Sequence, residues 1–172
     1  MAEYFVDTTA APGGDGLSWE TAWNNLRGHY NSSSLGPGDH IINCRGGIDE
    51  GDFAGFPTDP TSVTIRGDWS GFDIYEDCYR LRSTEFRILG NGFVGKTLRF
   101  ENLVLESSFV STPSAGAAAI GVSGGAAVEI FNSAVIGHMD SADPPIINVL
   151  RAQGAGSSVK AYNSIFAFGI TP

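Results

Sequence analysis

The sequence predicts an all-β solenoid, and three observations carry that prediction. The first is a repeat. Leu98-Arg-Phe-Glu-Asn-Leu-Val-Leu-Glu, Val128-Glu-Ile-Phe-Asn-Ser-Ala-Val-Ile-Gly and Val159-Lys-Ala-Tyr-Asn-Ser-Ile-Phe-Ala-Phe-Gly share a short alternating strand, an Asn and a second apolar run. Asn102, Asn132 and Asn163 mark a period of about 30 residues. Such a period belongs to stacked units, each burying its apolar face only against the next. The second observation is the alternation itself: Val128/Ile130 and Val159/Ala161 send every second side chain to one side, as in a strand. The third is composition: 23 Gly and 17% charged residues suit tight turns between many short strands and argue against a helical bundle. Three strand-turn-strand pieces of a sandwich are the competing reading of the same repeats.

An Asn at each corner fits left-handed backbone geometry. Identical amides one repeat apart can hydrogen-bond to each other along the stack. The remaining elements follow in order. Tyr4-Phe-Val-Asp reads as a first strand, and the loop Thr8 to Gly16 contains Pro12-Gly-Gly-Asp-Gly. Ser18 is placed to cap a short helix ending near Gly28, with Trp19, Ala22, Trp23 and Leu26 on one face. Laid across the first repeat, that helix would cover its open apolar end. Gly36-Pro-Gly-Asp is a turn feeding a strand from His40. Ser62-Val-Thr-Ile-Arg, Tyr79-Arg-Leu-Arg and Phe86-Arg-Ile-Leu-Gly make an early repeat, and Ala117 to Val122 and Ile146 to Leu150 supply a third strand per unit. Asp143-Pro-Pro belongs to an outward loop, because consecutive prolines do not fit a central strand.

Tyr4-Phe-Val-Asp, Asp15-Gly-Leu-Ser-Trp-Glu-Thr-Ala-Trp, Gly36-Pro-Gly-Asp-His-Ile and the strands ending in Asn-Ser resemble the N-terminal portion of right-handed parallel β-helix proteins of the pectate-lyase-like superfamily. The resemblance covers nearly the whole chain. It implies a short right-handed parallel β-helix of roughly three to four coils with an N-terminal capping helix, as a single domain over residues 1–172. Residues 1–36 would form the strand, loop and capping helix, and 37–172 the coils. Function is open at the level of the superfamily, whose members include polysaccharide lyases, glycoside hydrolases, phage tailspikes and non-enzymatic virion proteins.

The catalytic sets of those enzymes are not matched. The lyases use clustered acidic calcium ligands with an Arg or Lys base, and the hydrolases use closely spaced Asp residues with Gly-His-Gly and Arg-Ile-Lys segments. Here Gly28-His29 and Gly137-His138 are followed by Tyr and Met, and Arg-Ile-Lys does not occur. Asp68, Asp73, Glu76, Asp77 and Glu101 are the best carboxylates for a general acid/base pair, against a reading as solvated turn residues. His29, His40 and His138 lack metal-ligand spacing. No catalytic residue, cofactor site or metal site is assigned. Gly90-Asn-Gly-Phe-Val-Gly-Lys96-Thr97 satisfies the phosphate-binding loop pattern and its first six residues the dinucleotide fingerprint. Both motifs need a following helix, whereas Leu98/Phe100 continue the strand repeat, so the match is expected to be accidental.

With a formal net charge of −9, a pI near 4.6 and two lysines, Lys96 and Lys160, nucleic acid is not an expected partner. No apolar run spans a membrane and the first residues lack a signal-peptide pattern, so a cytoplasmically made, non-membrane protein is expected. Cys44 and Cys78 read as buried thiols, with a pair between neighbouring repeats as the alternative. Asn31-Ser-Ser matches a glycosylation sequon. The last repeat, with Tyr162, Phe166, Phe168 and Ile170, has no polar or helical cap after it, and these four residues are the expected interface. The functional expectation is a non-enzymatic structural protein of a bacteriophage virion, in head decoration or cementing first and tail or spike second. Its partners would be other virion proteins or itself. The alternative is a carbohydrate-binding or polysaccharide-cleaving module with Trp69, Phe72 and Tyr75 beside carboxylates.

Overall fold

The computed structural model describes residues 1–30, 35–50, 53–54, 60–71, 77–83, 86–88, 94–109, 118–139 and 148–170. Strands numbered in chain order form three parallel sheets. Sheet A runs β1 (Ala2–Asp7), β2 (Gly38–Arg45), β5 (Pro60–Arg66), β8 (Thr97–Glu101), β11 (Ala127–Phe131) and β14 (Ser158–Tyr162). Sheet B runs β3 (Ile48–Glu50), β6 (Arg80–Ser83), β9 (Val104–Phe109), β12 (Ala134–Met139) and β15 (Ile165–Ile170). Sheet C runs β4 (Phe53–Ala54), β7 (Phe86–Ile88), β10 (Ala118–Ser123) and β13 (Asn148–Gln153). From β2 onward the chain visits sheets A, B and C in turn, so each strand pairs with those one repeat before and after it.

The register turns the sequence repeat into columns. Leu98, Val128 and Val159 pair in sheet A, as do Phe100, Ile130 and Ala161, while Leu105, Val135 and Phe166 pair in sheet B. Leu98, Phe100, Leu105, Val128, Ile130 and Val135 lie in a core shared by all three sheets, with Val159 packed against it and Ile120 and Val122 contributed by sheet C. Period-2 alternation decides which residues go there, and burying one such side chain contributes about 1.5–3 kcal/mol. Outside, sheet A carries ion pairs between strands: Arg66 Nε to Glu101 at 2.9 Å and Arg99 to Glu129 at 2.6 Å.

The three corner asparagines have φ of 54°, 43° and 47°, the left-handed region that Asn tolerates better than most side chains. Their amides form the expected ladder. Asn132 Nδ2 donates to Asn102 Oδ1 at 2.9 Å, and Asn163 Nδ2 to Asn132 Oδ1 at 3.0 Å. Behind each of the last two, a serine hydroxyl donates to the carbonyl two residues earlier, Ser133 to Phe131 and Ser164 to Tyr162.

The N-terminal segment departs from expectation. The helix covers only Arg27–Tyr30 (α1), and residues 18–26 form bends and a turn around a parallel bridge from Trp23 to Val6. Local chemistry does start a turn, since Ser18 Oγ accepts from the Thr21 amide at 3.3 Å. Sheet pairing then takes over the backbone: Trp23 N donates to Phe5 O and Asp7 N to Trp23 O, at 2.9 and 2.8 Å. Those groups are therefore committed to β1 instead of to a helical i−4 partner. The apolar stripe is nonetheless buried at Ala22, Trp23 and Leu26, with Trp19 half-buried. Tyr4 and His29 stack on Trp23 with centroids 4.9 and 4.3 Å away, so the segment still packs onto the first strands.

Two further placements matter for function. Asp49, on the inward side of β3, is buried and accepts hydrogen bonds from the Leu26 amide and the Tyr79 hydroxyl. It joins the N-terminal segment to sheet B. The chain after β5 crosses the outside of sheet B, where Trp69 and Cys78 are buried with Val104, Ala134 and Ile136. Trp69 N donates to Asn102 O at 2.8 Å, fixing the crossing beside the amide ladder. Cys44 and Cys78 are buried thiols in separate clusters, with no disulfide between them. The sequon at Asn31 and the Asp143-Pro-Pro loop lie outside the described residues.

Candidate functional site

The sequence points to three places: the open edge after the last repeat, the carboxylates near residues 68–77, and the Gly90–Thr97 motif. The edge is formed by β13, β14 and β15, the terminal strands of their sheets. Burial of the core columns falls off in this last described repeat. Val128, Ile130 and Val135 have no exposed surface, whereas Val159 is half-buried, Ala161 is exposed, and Phe166 is 38% exposed. Ile165 on the outer face is 43% exposed. Phe168 and Ile170 continue β15 by backbone, and their side chains lie outside the described residues. Tyr162 differs from Phe166 in kind. It faces outward from sheet A and stacks on Phe131, with centroids 4.6 Å apart and planes 11° apart. The edge therefore presents an inner apolar row and an outer row of aromatic and charged groups.

The carboxylates divide. Asp68 and Asp77 help line an open hollow of about 420 Å³ together with Asp7, Thr9, Arg45 and Gly46. Four of these six were not singled out in the sequence: Asp7, Thr9, Arg45 and Gly46. Asp7 ends β1 and accepts from the Thr9 hydroxyl at 2.6 Å, the Thr9 amide at 2.9 Å and Arg45 Nε at 2.8 Å. The Thr9 hydroxyl and then Arg45 hold its carboxyl below the usual range. The Asp7-Thr-Thr sequence at a strand end was the available signal, because Asp bonds readily to the backbone two residues on. Arg45 also lies 4.2 Å over the Trp19 ring. Asp68 accepts the Tyr79 amide at 2.7 Å.

General acid catalysis by a carboxyl requires one held protonated near neutral pH. Asp7 is shifted the other way. Among the described residues Asp49 is shifted upward, by burial, but it sits beneath the surface on Leu26 and Tyr79. Glu101 pairs with Arg66 and Arg99 on sheet A. Asp73 and Glu76 lie outside the described residues, as do Phe72 and Tyr75. Trp69 is 3% exposed and so is not available as a sugar platform.

In the glycine motif, residues 90–93 lie outside the described residues. Lys96 and Thr97 are described, and they do not open a helix: Thr97 begins β8. The Lys96 amine donates to Pro60 O at 2.9 Å, and its carbonyl accepts from the Ala127 amide at 2.9 Å. These groups are occupied by inter-repeat pairing. His40 Nε2 meets Gly36 O at 2.7 Å, and His29 is packed on Trp23. The His138 side chain lies outside the described residues. Among the described residues no three His, Cys, Asp or Glu side chains converge as a metal site, and no helix is long and apolar enough to cross a membrane. No protein-family model matches the chain, and neither does any curated protein or solved structure.

Proposed function

We propose that the chain is a short right-handed parallel β-helix of the pectate-lyase-like kind, acting as a non-enzymatic structural component of a larger assembly. The assembly we propose is a bacteriophage virion, with head decoration or cementing as the first placement and tail or spike as the second. The observation that carries the reading is that the repeats spend their candidate polar groups on one another, with Asn132 bonded to Asn102, Asn163 to Asn132, and Arg99 to Glu129. The candidate carboxylates add support, because Asp68 and Glu101 are engaged in holding the backbone and neighbouring strands.

The hollow around Asp7, Arg45, Asp68 and Asp77 favours a second reading, a carbohydrate-binding or carbohydrate-cleaving module. Two measurements separate the readings. Sedimentation of purified particles should carry the chain with them at a fixed copy number per particle. Incubation with acidic polysaccharides should release no new chain ends. A chain that stays wholly in the soluble fraction, or one that cleaves such a polymer, overturns the structural proposal.

A further inference from the structure

We draw no further inference here: the strongest candidate, the open hollow beside the ends of β1 and β2 lined by Asp7, Arg45, Asp68 and Asp77, belongs to the site already described, and nothing among the described residues points to a ligand for its cluster of carboxylates.

Discussion

Replacing Asn132 tests the physical account of the repeat most directly. It sits in the middle of the amide ladder, donates to Asn102 at 2.9 Å, accepts from Asn163 at 3.0 Å, and holds φ at 43°. Asn132→Gly removes both side-chain bonds but accepts the backbone angle freely. At about 1 kcal/mol net for each hydrogen bond, the loss should be about 2 kcal/mol. Asn132→Ala removes the same bonds and adds a Cβ in the left-handed region, a further cost of about 1 kcal/mol. For a chain of this length that difference is about 3 °C in Tm, with alanine the lower of the two. Urea unfolding followed by circular dichroism measures both variants. Asn163→Gly, which forfeits one bond at an exposed end, should cost about 1 kcal/mol or less. An alanine variant as stable as the glycine variant, or more stable, would refute the claim that backbone geometry selects Asn at the corners.

Other substitutions probe separate layers. Asp49→Asn should alter the pH dependence of stability. Burial raises the Asp49 pKa above its unfolded value, so the stability it contributes is complete below the unfolded pKa and is lost as pH rises through the folded one. Relative to wild type, the variant should therefore gain on moving from about pH 4 to about pH 7, as read by urea midpoints, and a parallel pair of pH profiles would contradict this. Phe100→Ala empties a fully buried site on β8 and should cost about 3–5 kcal/mol, whereas Glu129→Gln, on the outer face, should cost less than about 1 kcal/mol.

The parts of the fold legible in the sequence are those where one residue type answers one local demand. Asn102, Asn132 and Asn163 could be placed because left-handed corners admit few side chains, and the strands before them because alternation over five residues is a local signal. Strands β3 and β4 escaped notice, being three and two residues long and too short to show a period. Residues 19–26 carried a helical spacing of buried side chains, yet pairing with β1 set the backbone, and nothing local in that stretch announces the pairing. Asp49 in Gly47-Ile-Asp-Glu reads as a solvated turn; only the fold brings Leu26 and Tyr79 to it. In the last described repeat, Phe166 was legible as an inward residue of an alternating strand. Tyr162 was singled out with it, but its outward stacking over Phe131 from the repeat before was not legible.

The register also bears on how the protein acquires its structure. Leu98 pairs with Val128 and Val128 with Val159, so each strand bond joins segments roughly one repeat apart, and the paired strands are parallel throughout the described residues. Among the described residues no tight turn links two adjacent strands of a sheet, so no hairpin there is available to start folding quickly. The ordering entropy of an entire repeat must be met before its first inter-strand bond forms. Folding should accordingly be slow, in the range of milliseconds to seconds or longer, with newly made strands waiting for their neighbours while their edges are open to wrong partners. Once a first layer is complete it serves as a template, and each added repeat then finds a surface already in register.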